Sequence, residues 1–167
     1  HITRQTTHTI LRGSTLEGVA TAAGPLGQKA EGGSNPNESF ITHQITINYT
    51  NTSPSENPDP PNHHGGDYIN YLRLYIPTQA TNIQAPPNFS SSPEHGFTKI
   101  GFFHSTPHQS TSSVTISYQL PFTNQKSYQL SILKQPGIAN SPQNITFFGK
   151  TKEINLTKDY TSKTIKL

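Results

Sequence analysis

The sequence predicts an all-β protein, an immunoglobulin-like β-sandwich with Greek-key-like connections and seven or more strands. Apolar residues alternate at period two in several separate segments, and the stretches between them are crowded with Pro, Gly, Asn, Ser and Thr. Apolar residues make up only 29% of the chain and charged residues 13%. That composition suits strands that bury every second side chain better than helices that need a broad apolar stripe. At 167 residues, one domain can bury roughly 70% of the surface its unfolded chain exposes, so no metal or disulfide staple is needed.

Taken in chain order, His8 to Arg12 reads as a strand and Leu16 to Ala23 admits a short Ala-rich helix. The Gly-rich stretch from Gly24 to Ser39 then reads as a linker. Residues 1–39 are therefore expected to form an N-terminal arm, separable from a sandwich spanning residues 40–167. The clearest strand is Phe40 to Thr50, with Ile41, His43, Ile45, Ile47 and Tyr49 on one face and Thr42, Gln44, Thr46 and Asn48 on the other. Thr52 to Asp67, rich in Pro and Asn, is a long loop. Tyr68 to Ile76 puts Leu72, Leu74 and Ile76 on one face and Tyr71, Arg73 and Tyr75 on the other, ending at Pro77. Aromatic side chains suit either face of a sheet, which points to a central position for this strand.

Phe97 to Phe103 is a short strand, and Ser113 to Leu120 alternates Val114, Ile116, Tyr118 and Leu120 against Thr115, Ser117 and Gln119 before Pro121. Ser127 to Lys134 alternates again before Gln135-Pro136-Gly137 turns the chain. Asn144 to Phe148, Glu153 to Leu156 and Ser162 to Leu167 complete the set. Short strands at this spacing are the pattern of a sandwich.

Cysteine, methionine and tryptophan are absent, which excludes disulfides, thiolate metal sites and thiol nucleophiles. The same absence suits an exported protein exposed to oxidants. His rather than Met at position 1 marks a processed product or a piece of something longer. No run of 18 apolar residues is present, so the chain is not expected to span a membrane itself. Residues 126–167 carry seven Lys and two acids, a net +5, whereas residues 1–125 carry five basic and seven acidic residues, a net −2. The basic end suits an anionic surface polymer. Its aromatics are few, Tyr128, Phe147, Phe148 and Tyr160, and nucleic acid is not an expected partner.

No catalytic, cofactor or metal site is expected. The densest histidine cluster, His63 and His64 with Asp59 and Asp67, has no metal-motif spacing and reads as a solvated loop. His104 and His108 flank Pro107 and read as a turn. There is no G-x-S-x-G, P-loop or dinucleotide fingerprint. Two kinds of surface position stand out instead. Six N-x-[ST] sequons, at Asn37, Asn48, Asn51, Asn88, Asn144 and Asn155, are candidate glycosylation acceptors. Tyr68, Tyr71 and Tyr75 form a candidate ligand surface.

Three segments, Tyr71 to Pro77 (YLRLYIP), Ser113 to Pro121 (SVTISYQLP) and Tyr128 to Gly137 (YQLSILKQPG), resemble the C-terminal domain of an uncharacterised bacterial surface-protein family, known only as a domain of unknown function. The resemblance covers about residues 40–148, and the Lys134-Gln135-Pro136-Gly137 element is its most specific part. It implies an immunoglobulin-like fold, a membrane-anchored bacterial parent protein and no assigned activity, so no functional residue is carried over.

The expected function is that of a non-enzymatic extracellular structural module. It would be a subunit of a cell-surface filament or stalk, assembling through strand pairing as a homo-oligomer or with neighbouring surface-protein domains. The alternative expectation is an adhesion module that binds cell-wall or host glycans.

Overall fold

A computed structural model describes residues 2–13, 39–54, 65–122, 127–135 and 140–166. The protein is all-β, and two layers of strands pack as a β-sandwich. The first layer is a six-stranded sheet in the order β11-β10-β1-β2-β7-β4. Its strands are β1 (Ile2–Arg12), β2 (Ser39–Asn51), β4 (Thr81–Gln84), β7 (Ser110–Phe122), β10 (Pro142–Phe147) and β11 (Lys150–Asn155). The second layer has two parts. One is a three-stranded sheet in the order β3-β6-β5, made of β3 (Tyr68–Pro77), β5 (Ser90–Glu94) and β6 (Phe97–Thr106). The other consists of two short pairs, β8 (Ser127–Tyr128) with β13 (Ile165–Lys166) and β9 (Ser131–Ile132) with β12 (Tyr160–Thr161).

Strand periodicity explains the layering. The predicted apolar face of β2 is buried from Ile41 through Tyr49, and Val114, Ile116 and Tyr118 of β7 are buried beside it. Toward one end, Ile45, Ile47 and Tyr49 meet Ile76 of β3 and Ile100 and Phe102 of β6. Toward the other end, Ile41 joins Ile10, Phe122 and Ile145, covered by Tyr128, Leu130, Ile132 and Tyr160 from the short pairs. One sheet face therefore supports two apolar clusters.

His43 sits at the seam between these clusters. It is only 4% exposed. Its ring stacks on Tyr118, its register partner on β7, at 4.7 Å between centroids, and its Nε2 lies 3.3 Å from the Tyr128 hydroxyl. Burial, with the nearby His8 adding to it, lowers the His43 pKa to about 4. Burial also pushes the Tyr118 and Tyr128 hydroxyls up. At neutral pH the tyrosine hydroxyl therefore shares a hydrogen bond with an uncharged imidazole.

Several expectations are revised. The strand expected at His8 to Arg12 runs from Ile2, and it is not part of a separate arm. Its eleven residues pair antiparallel with β2 over its whole length, while Thr6 to Ile10 pair parallel with β10. β3 is an edge strand, not a central one. Its exposed rings find their cover on β6, as described below. β7 runs through Pro121 to Phe122. Proline is tolerated there because β4 pairs β7 only at Ser117 and Gln119, which leaves position 121 without a ladder partner on that side.

The single strand expected at Ser127 to Lys134 is split at Gln129 and Leu130. There Ser162 intrudes on the ladder, its hydroxyl accepting from Leu130 N and its amide donating to Leu130 O. Of the strand expected at Ser162 to Leu167, only Ile165–Lys166 forms, and Tyr160–Thr161 pairs ahead of Ser162 instead. His104 belongs to β6 rather than to a turn. β4 and β5 fall in stretches that read as loops, because their short Ser-, Pro- and Asn-containing sequences carry no alternation. The helix expected at Leu16 to Ala23 and the cluster of Asp59, His63 and His64 lie outside the described residues.

Two outcomes follow from this core. Replacing Ile100, which is 0% exposed, with Ala removes a fully packed side chain and is expected to cost roughly 2–5 kcal/mol in denaturant unfolding. For His43, folding favours the uncharged ring, so stability is full above the unfolded pKa of 6.5 and is lost as pH falls toward about 4. The loss is about 3 kcal/mol, read from urea midpoints across that window. His43→Phe should flatten the profile, and an unchanged slope in that variant would sink the assignment.

Candidate functional site

The outward face of the three-stranded sheet brings exposed aromatic, cationic and hydroxyl side chains together. Alternation on β3 turns Tyr68, Leu72, Leu74 and Ile76 inward and Ile69, Tyr71, Arg73 and Tyr75 outward. On β6, the antiparallel register sets Phe103 opposite Tyr71, Gly101 opposite Arg73 and Lys99 opposite Tyr75.

Gly101 decides how the rings lie. A Cβ at this position would stand 2.8 Å from Tyr71 Cζ and closer still to its hydroxyl oxygen, so the missing side chain lets the Tyr71 ring lie down across β6. Its hydroxyl reaches 3.2 Å from Ser90 Oγ on β5, and Ser90 Oγ donates to Gly101 O at 3.0 Å. Phe103 packs against the same ring at 4.9 Å and 61°. The Arg73 guanidinium carbon lies 5.7 Å from its centroid, within cation–π range. The result is a floor made by Tyr71, a wall made by Phe103 and a cation at the margin.

The neighbouring cross-strand group is ionic. The Tyr75 hydroxyl donates to Glu94 Oε1 at 2.6 Å, and Lys99 Nζ pairs with Glu94 Oε2. The Lys99 ammonium, helped by the Tyr75 hydroxyl, holds the Glu94 carboxyl down at about 2. Lys99 and Glu94 therefore satisfy one another. Arg73 has no carboxylate within ion-pair distance among the described residues.

The three tyrosines singled out in the sequence thus separate. Tyr71 and Tyr75 are each 42% exposed. Tyr68 points inward, half-buried against the core with its ring 5.9 Å from Tyr49, and does not belong to this surface. Phe103, Gly101 and Ser90 complete it. The alternation of Phe97, Lys99, Gly101 and Phe103 in the sequence puts those residues on one face, but which strand they oppose is a matter of register.

The sequons also separate. Asn48, Asn88 and Asn155 are exposed and Asn144 is half-buried, while Asn37 lies outside the described residues. Asn51 is 1% exposed. Its amide donates to Gly66 O and Thr106 O, and its Oδ1 accepts from Ser53 N. Its side chain is therefore committed to holding three backbone groups together and is not presented by the folded chain. The Lys-rich part of the sequence includes Lys150 and Lys152 on β11, an edge of the six-stranded sheet, where charge discourages edge-to-edge pairing.

Among the described residues no group of three or more His, Asp or Glu converges as metal ligands, and no helix is long and apolar enough to cross a membrane. The fold and surface together define an all-β sandwich module with an exposed aromatic sheet face. Set against family models, curated proteins and solved structures, the chain matches none of them. The family resemblance accordingly rests on its three sequence segments alone.

The two fates of the sequon asparagines can be measured. Asn51→Ala should destabilise the fold by about 2–3 kcal/mol, since it strands buried backbone groups. Asn48→Ala should stay within about 0.5 kcal/mol of the parent. Equal denaturation midpoints for the two variants would overturn the structural role given to Asn51.

Proposed function

We propose that the chain is a non-enzymatic extracellular structural module, a subunit of a cell-surface filament or stalk that assembles by exchanging a strand between copies of itself. The observation that carries this reading is the position of β1. Removing it would divide the six-stranded sheet into β10-β11 and β2-β7-β4, with two strand edges facing one another across a slot.

Occupation of that slot relies on main-chain pairing more than on side chains. β1 makes eleven register pairs with β2 and five with β10, yet Ile10 is its only buried apolar side chain. Strand addition works in this way, with ladder hydrogen bonds supplying affinity and a few side-chain pockets supplying register. The connection also favours exchange. Gly13 N donates to Phe40 O at 2.8 Å, so a hairpin loop of roughly two to five residues would join the two strands. The chain instead spends residues 14–38, 25 in all, on that join, enough to reach at most about 85 Å.

The outer edges of the large sheet are poor alternatives for assembly. β11 carries Lys150 and Lys152, and β4 is four residues long with a shifted register and a positive φ at Asn82. Short, irregular or charged edges resist pairing with another chain. Within the large sheet, assembly through strands is thereby directed to the slot.

The absence of native cysteine makes a clean test available. Gln5 and Asn48 are register partners on exposed positions of β1 and β2, and cross-strand partners lie roughly 5 Å apart. A Gln5→Cys/Asn48→Cys double variant of the whole chain, oxidised after concentration or refolding, should give a ladder of disulfide-linked multimers on a non-reducing gel. Filaments of matching repeat should be visible by electron microscopy. Monomer that is cross-linked only within itself at every concentration would overturn the proposal.

A further inference from the structure

We propose that the outward face of the β3-β6-β5 sheet is a carbohydrate-binding site for a carboxylate-bearing pyranose, with the sugar ring seated on Tyr71 and Phe103 and its carboxylate meeting Arg73. The inference is independent of strand exchange, because it uses the opposite layer of the sandwich.

The starting point is Phe103. It is 76% exposed and packs on Tyr71, its register partner, outside both core clusters. A large apolar side chain left this far in water contributes little to folding, since stabilisation scales with apolar area removed from water. Tyr71 covers the backbone of Gly101 and so has a structural use, yet it stays 42% exposed, with the Arg73 guanidinium held only loosely over its ring at 5.7 Å. The two rings meet at 61°, which gives a corner with a flat floor rather than a plain apolar patch.

The corner is small for a second copy of the chain. With aromatic side chains presenting about 200 Å² each, the open parts of Tyr71, Tyr75 and Phe103 amount to roughly 300 Å², and Phe97 and Ile69 extend the exposed apolar face to roughly 500 Å². A stable protein interface needs about 800 Å² per partner. The composition argues against a purely apolar occupant, because Arg73 and the Lys99–Glu94 pair share the face and covering them with hydrocarbon would strip their water without replacement.

A pyranose meets both conditions. The C–H bonds on one side of its ring pack on an aromatic plane, and its equatorial hydroxyls point sideways. Here that places them toward Ser90 Oγ and the Tyr71 hydroxyl on one flank and the Arg73 guanidinium on the other. Small sites of this kind take orientation from a few polar groups around an apolar floor.

Charge selects the class of sugar. Glu94 and Lys99 neutralise one another, while Arg73 has no acidic partner among the described residues. The face therefore carries one uncompensated cation with a planar fork of N–H donors, the geometry that pairs two-pronged with a carboxylate. A uronate or sialate residue supplies that carboxylate from the pyranose itself.

The test uses the whole chain, with hexuronate oligosaccharides, sialylated oligosaccharides and neutral hexose oligosaccharides of equal length as probes, read by isothermal titration. At least one acidic series is expected to bind at least tenfold more tightly than the neutral series, with the preference weakening at high salt. Phe103→Ala should lower that affinity at least tenfold. Gly101→Ala should do the same by lifting the Tyr71 ring, while Arg73→Gln should remove the preference for acidic over neutral sugars. Melting curves keep the reading separate from misfolding, because Phe103 and Arg73 are exposed and Gly101 is buried beneath the exposed Tyr71 side chain. Gly101→Ala strains only the far end of an exposed side chain, so its unfolding temperature should stay within a few degrees of the parent. Retention of none of the probes at millimolar concentration, binding of neutral sugars alone, or acidic binding unchanged by Phe103→Ala would each overturn the site.

Discussion

β2 and β7 pair without interruption over thirteen positions, from Ser39 opposite Phe122 to Asn51 opposite Ser110. Their length and strict alternation create one face long enough to hold both apolar clusters. At one end the face carries Ile45, Ile47, Val114 and Ile116, which receive the three-stranded sheet; at the other it carries Ile41 and Phe122, which receive the short ribbons near the end of the chain. A slip of one residue in this pair would turn both faces over at once. Every other strand takes its position from this register: β1 along the free side of β2, β10 along β1, and β3 and β6 across the sandwich.

The constraint has a polar cost at the seam. Where the two clusters meet, the continuous face presents His43 rather than another aliphatic residue, and the stacked His43–Tyr118 pair with Tyr128 bridges them. Burying these groups is tolerable because the imidazole is uncharged and hydrogen-bonded to the Tyr128 hydroxyl. Asn51 plays a related part at the end of β2, gathering Gly66, Thr106 and Ser53 around one side chain. Other polar side chains inside the sandwich are likewise hydrogen-bonded, among them Thr106, Ser117 and Gln143.

Function, on this reading, falls to the two features that the core does not consume. β1 contributes long backbone pairing with a single buried apolar side chain, so its exchange would cost little packing for the ladder it carries. The outer face of the small sheet carries rings that the inner face does not need. The two lie on different layers, and an assembling subunit could present the aromatic face while its strand slot is engaged.

The sequence by itself determined the fold class, the strands with clear alternation and the side of each strand that is buried, because period two is written residue by residue. The inward set of β2 and the split of β3 into Leu72, Leu74 and Ile76 against Tyr71, Arg73 and Tyr75 were legible for that reason. Tyr71 and Tyr75 could be picked out as surface rings by the same rule, and Tyr68 could have been set apart, since it shares the parity of Leu72. What only the tertiary structure decided is everything that depends on partners distant along the chain. Main-chain pairing leaves little mark in side-chain sequence, so the interior place of β1 and the short strands β4 and β5 were hidden, as were the breaks at Gln129 and Leu130. The aromatic corner was hidden too, for it exists because one register sets Gly101 and Phe103 of β6 against Arg73 and Tyr71 of β3, and register is fixed by packing across the whole sandwich rather than by either strand alone.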